Sequence, residues 1–103
     1  MNIDEHFSLH DARITRIQCI EKGYDRTDIV LVLNTKHSYT KAKRIVFSNA
    51  QLRIHGAIDN AWWISEEINA TEDGYKMEVM VMNGQTDEYS VLTIEFRDLL
   101  VEQ

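Results

Sequence analysis

At 103 residues, 44% of them hydrophobic and 27% charged, the chain has material for one domain with one core. Its net charge of −6 excludes general affinity for nucleic acid, whose phosphates need a basic face. A single cysteine, Cys19, rules out an internal disulfide and fits a reducing compartment.

The chain has no proline and four glycines, Gly23, Gly56, Gly74 and Gly84, which fall at the ends of strand-like runs. No linker, low-complexity tract or internal repeat divides it. Ala12 to Ile20 reads as a strand rich in β-branched residues, with its mixed apolar spacing pointing to a bulge. Ile29 to Leu33 is apolar at every position, the pattern of a strand covered on both faces or meeting something on its outer one. Lys43 to Phe47 and Gln51 to His55 follow, with Ser48-Asn49-Ala50 as a corner or bulge between them. Trp62 to Ala70 suits a short helix or a strand carrying Trp62, Ile64 and Ile68 on one face. The Asp73-Gly74 turn just after it favours a hairpin with Tyr75–Met82, because Asp-Gly tolerates the positive φ of tight turns. Tyr75, Met77, Val79 and Val81 alternate along that strand. Tyr89 to Phe96 also alternates, with Leu92, Ile94 and Phe96 on one face and Val91, Thr93 and Glu95 on the other. Leu99, Leu100 and Val101 extend this strand or pack at the sheet end. The sum is an all-β single domain over 1–103, an antiparallel β-sandwich or small β-barrel of about seven strands with at most one short helix. A βαβ fold is disfavoured, since no long amphipathic helix is available for a parallel crossover.

Charge is unevenly distributed. From Ile29 to Ile58 there is no acid, while Lys36, Lys41, Lys43, Arg44 and Arg53 are present. From Glu66 onward ten acids face only Lys76 and Arg97. Two readings fit: a mixed solvated surface once the strands pair up, or a bipolar surface whose acidic side steers a basic partner.

Nothing in the chain forms a strong catalytic motif. His6 and His10 would share a helix face, and Asp11 could add an oxygen ligand, but a third ligand must come from distant His37 or His55. The expectation is no metal and no cofactor, with His6, His10 and Asp11 the alternative. Glu66 and Glu67 are adjacent, so on a strand they diverge, whereas paired acid–base chemistry needs carboxylates converging about 5–9 Å apart. Cys19 has no nucleophile signature around it and reads as a core thiol. Trp62-Trp63 places consecutive tryptophans on opposite faces of a strand, so one of them is the candidate anchor for a partner or ligand. Met80 and Met82 share an outer face with Glu78, and Val30 and Val32 raise the same prospect of an apolar outer strip. The candidate binding residues are therefore Trp62, Trp63, Glu66, Glu67, Met80 and Met82.

The segments Phe7-Ser8-Leu9-His10-Asp11-Ala12-Arg13-Ile14, Arg44-Ile45-Val46-Phe47-Ser48-Asn49 and Trp63-Ile64-Ser65-Glu66-Glu67 resemble small bacterial domains, some of them immunity proteins of contact-dependent or polymorphic toxins. That resemblance implies a bacterial, cytoplasmic, non-enzymatic protein and brings no catalytic residues. The polar, acidic start Met1-Asn2-Ile3-Asp4-Glu5-His6 does not read as a secretory leader. Ile29–Leu33, the longest apolar run, is far below the roughly 20 residues of a membrane helix. The expected function is that of a small acidic cytoplasmic interaction protein, an inhibitor or immunity-type partner of a basic protein. Self-association is compatible with it, and nucleic acid and membrane are not expected partners. The alternative is a small-molecule-binding barrel or sandwich, with Trp62 or Trp63 in its cavity and Tyr75 or Tyr89 as a polar handle.

Overall fold

Alternating apolar residues bury one face of a strand only if a second layer covers it, and here a single sheet supplies both layers. The computed structural model describes residues 9, 11–23, 26–36 and 42–103. Eight strands form: β1 (Arg13–Glu21), β2 (Thr27–Asn34), β3 (Arg44–Ser48), β4 (Gln51–His55), β5 (Ala61–Ala70), β6 (Tyr75–Met82), β7 (Tyr89–Phe96) and β8 (Asp98–Glu102). All pairings are antiparallel, in the order β4-β7-β6-β5-β1-β2-β3-β8. The segment that suited either helix or strand is strand β5, and no helix occurs among the described residues.

The two ends of this sheet are parts of one bent ladder. Ser48 pairs with Asp98 on one side of the corner, and Gln51 pairs with Glu95 on the other. The register passes the corner without a slip, and the Arg97 N–H bonds the Ser48 carbonyl there at 3.0 Å. Asn49 turns the corner with φ 50°, a left-handed conformation that asparagine tolerates. Because β3–β4 and β7–β8 are each one bent strand, the pairing runs round in a circuit.

That circuit repeats itself. β1–β4 and β5–β8 each form a three-stranded meander whose last strand is bent. β1 pairs with β5 only at Arg13↔Trp62 and Ile14↔Ala61. Each of these two strands then bulges, β1 at Thr15 and β5 at Ile64, where the register against its hairpin partner shifts. Inward positions correspond across the two halves: Ile14 with Trp63, Leu31 with Val79, Ile45 with Leu92 and Phe47 with Ile94, all buried. Phe47 of the first half and Phe96 of the second meet edge to face at 5.0 Å, where the halves join. The amino-acid sequence shows no internal repeat because burial demands only an apolar residue at each such position, and Ile or Trp meets that demand equally.

The bulges also explain where strict alternation misleads. Across the bulge at Ile64 the inward face of β5 runs Trp63, Glu66 and Ile68, since Glu66 lies opposite buried Val79 and Ile68 opposite buried Met77. Trp62, Ile64 and Ile68 therefore do not form one face, because an extra residue inverts the parity. In β2, Ile29, Leu31 and Leu33 enter the core, while Val30 is buried on the opposite face and Val32 is half-buried. The apolar run is thus covered on both faces at its centre.

A buried polar clamp links the halves. The side-chain amide of Asn83 donates to the Ala57 carbonyl at 2.9 Å and to Ser90 Oγ at 3.1 Å, and its oxygen accepts from the Asp59 N–H at 2.9 Å. This satisfied network pins the turn between β4 and β5 to the start of β7. Gly56 in that turn has φ 101°, and a Cβ there would lie 2.4 Å from Ser90 Oγ.

Candidate functional site

The sheet register sorts the sequence candidates into two faces. Trp63 is fully buried; its indole N–H donates to Glu66 Oε2 at 3.2 Å, so the pair belongs to the interior side of β5. Trp62 points outward and is half-buried, with the Arg13 guanidinium 3.9 Å above its ring. Glu67 is exposed on the outer face. Met80 and Met82 lie on that same face, Met80 42% exposed and Met82 half-buried.

Cross-strand pairing then assembles a surface that no single segment shows. One row runs Arg13, Trp62, Met82, Tyr89 across β1, β5, β6 and β7. The next runs Ser65, Met80, Val91, His55. A third runs Glu67, Glu78, Thr93, Arg53. Tyr89 is 63% exposed, the most open large hydrophobic side chain described. Glu67 and Glu78 stand directly opposite each other, a like-charge cross-strand pair that is unfavourable in isolation. Lys76 offsets part of that repulsion with a 3.6 Å contact to Glu78. Asp87 and Glu88 add charge in the turn entering β7. Arg13, Tyr89 and Val91 were absent from the sequence candidates for this face. They come from separate segments, and only the register brings them beside Trp62 and Met80.

Two other predicted features fall elsewhere. His6 and His10 lie outside the described residues. Asp11 has φ 68°, and its N–H bonds the Trp63 carbonyl at 3.1 Å. Cys19 is not a core thiol. It occupies an inward register position opposite Ile29, yet it is exposed, because β5 diverges from β1 after Ile14 and leaves that end of the strand uncovered.

A cavity of about 670 Å³ lies at the corner, lined among others by Arg26, Tyr75, Glu95 and Arg97. Tyr75 stacks on Phe96 at 5.7 Å there, and Arg97 Nε–H donates to the Asp73 carbonyl at 3.2 Å. Neither tryptophan lines it. Titration is perturbed at one described pair. Arg44 and Glu102 join β3 to β8 by a short hydrogen bond, which holds the Glu102 carboxyl below its ordinary range and raises Arg44.

Among the described residues, no helix is long and apolar enough to cross a membrane. No curated protein and no solved structure matches the chain. One family profile does, over residues 2–93, and the chain belongs to that family, described as Protein of unknown function (DUF4085).

Proposed function

We propose that this is a small acidic protein-binding module, an inhibitor or immunity-type partner of a basic protein acting in the bacterial cytoplasm, with the outer face of β5–β6–β7 as its contact surface. The observation that carries the reading is the exposed Tyr89 and Met80 beside the face-to-face carboxylates Glu67 and Glu78. Aromatic and methionine side chains on a rigid sheet supply contact area at low ordering cost. A cation from a partner would relieve the Glu67–Glu78 repulsion, which makes association favourable and salt-sensitive. Glu66 leaves the set of contact residues, because its carboxylate already serves Trp63 inside the fold. The test is affinity capture from the native host with wild-type protein and with Glu67, Glu78, Asp87 and Glu88 changed to Lys together. A basic partner held by the wild type and lost by the variant supports the reading, provided both share one melting temperature. A partner retained by the variant refutes it.

A second reading, small-molecule binding, is favoured by the corner cavity. Tyr75 offers a hydroxyl there, and Arg26 and Arg97 offer cations beside Glu95. That mixture suits a small zwitterion. Ligand-induced shifts of Tyr75 and Arg97 resonances in an amino-acid screen would support it, and a flat screen would remove it.

A further inference from the structure

The two halves share a plan and differ at one end. In the second half, Ile68 of β5 and Leu99 and Val101 of β8 pack on the core. In the first half, β4 faces β1 across two cavities, and of the equivalent positions Leu52 packs on the core while the other two stay open. Ile54, the counterpart of Val101, is 43% exposed, and Cys19, the counterpart of Ile68, is exposed. Between β1 and β4 lie two adjoining cavities of about 480 and 550 Å³. The first is lined by consecutive residues Ile14, Thr15, Arg16 and Ile17. The second is lined by consecutive residues from Ala50 to Ile54. Neighbouring residues of a strand point to opposite faces, so a cavity touching four in a row abuts the strand's edge.

Among the described residues, both edges lack ladder partners. β1 pairs with β2 along its whole length, but its other edge is unpaired after Ile14. β4 pairs with β7 on one edge alone. Unpaired N–H and C=O groups beside an apolar floor are a template for an added strand. The floor offers Ile17, Ile29, Leu52, Ile54 and Ile58. The charges lining the gap are Arg16 and Arg53 against one carboxylate, Asp59. Arg53 belongs to the acid-free window from Ile29 to Ile58.

We infer that the gap between β1 and β4 is a strand-addition site for an extended segment of a partner protein, apolar at alternate positions and carrying carboxylates between them. The segment's backbone pairs with the free edge of β1, its apolar side chains enter the gap between Ile17 and Ile54, and its carboxylates meet Arg16 and Arg53. This surface borders the acidic outer face at Arg53, which ends the Glu67–Glu78–Thr93 row, and its other lining residues lie apart from that face, so the inferred site stands whether or not that face binds a basic protein.

The experiment titrates the intact protein with a fluorescent short peptide of alternating valine and glutamate. A valine–lysine analogue and a proline-interrupted valine–glutamate analogue serve as comparisons. The expected result is saturable binding of the first peptide alone, with slowed amide hydrogen exchange over Arg16–Glu21. Changing Arg16 and Arg53 to Glu is expected to weaken it about tenfold or more, consistent with two charge contacts. Ile54→Asp, at an already exposed position, is expected to abolish it while leaving the melting temperature within a few degrees. No binding of the valine–glutamate peptide overturns the proposal. So does equal binding of the lysine or proline analogues, or protection confined to other strands. Sedimentation showing that a second copy of the chain protects the same amides overturns it too, by assigning the gap to self-association.

Discussion

The β1–β4 and β5–β8 halves are built on one plan, and they part company where their bent strands return. Leu99 and Val101 close the second half onto the core. Leu52 is half-buried at the equivalent place in the first, yet Ile54 is left open. β4 is exposed at four of its five positions, whereas β8 is exposed at two. The interior carboxylate of the pair belongs to the closed half, where Glu66 is occupied by the Trp63 indole; its counterpart in the open half is Ile17. A shared backbone plan thus leaves equivalent edges without a ladder partner among the described residues in both halves, over side chains that pack on the core in the second and stay open at Ile54 and Cys19 in the first. The lesson is that pairing topology sets where a gap can exist, and side-chain choice decides whether it is filled.

The comparison breaks first at the join between the halves. Phe47→Ala and Phe96→Ala are each expected to cost about 3–5 kcal/mol, the range for deleting a buried aromatic. Because their rings touch, the double variant should lose less than the sum, by about 0.5–1.5 kcal/mol. Urea unfolding of the three variants checks this; strict additivity would mean that the halves are energetically independent. The connection between the halves comes next. Gly56→Ala combines a left-handed backbone with a clash against Ser90, and Asn83→Ala strands the groups that its amide satisfies. Each is expected to cost about 1–3 kcal/mol by thermal or urea unfolding. Gly23→Ala, at φ 103° but with open space around it, should cost about 1 kcal/mol, the conformational penalty alone.

Smaller effects sharpen the contrast between the two ends. Val101→Ala should cost about 1 kcal/mol, since its side chain packs on the core, and Ile54→Ala about half of that. Equal costs would show that the first end is closed in solution. The smallest effect is electrostatic and belongs to β8. The Arg44 hydrogen bond depresses the folded pKa of Glu102 below its ordinary 4.5. A depressed carboxylate contributes stability that is fully present above the unfolded pKa and is lost as pH falls through the lower folded value. Both side chains are solvent-exposed, so the contribution is small and screened by salt. Glu102→Gln should flatten that acid limb in a melting-temperature series, leaving the neutral-pH value almost unchanged.

Much of the strand inventory was legible because period-two alternation is a local property. Met77, Val79 and Val81 in β6, and Leu92, Ile94 and Phe96 in β7, are buried as their spacing requires. The corner at Ser48-Asn49-Ala50 was visible in a break of pattern, and the bulge in β1 in its mixed spacing. The bulge at Ile64 was not, because one extra residue inverts parity without changing composition. Trp63 and Glu66 consequently belong to the interior, while Trp62, Glu67, Met80 and Met82 share the outer face. Cys19 sits at an inward position that local pattern assigns to a core. Its exposure follows from the divergence of β1 and β5, two strands far apart in the chain.

By itself the sequence determined an all-β chain, its turns, its uneven charge and the buried face of each regular strand, since these rest on side-chain period and turn chemistry. Tertiary structure alone decided the internal repetition, the assembly of Arg13, Trp62, Met82 and Tyr89 into one row, and the unfilled gap beside β1. Each of these depends on register between distant strands, which hydrogen-bonded pairing sets and no local window contains.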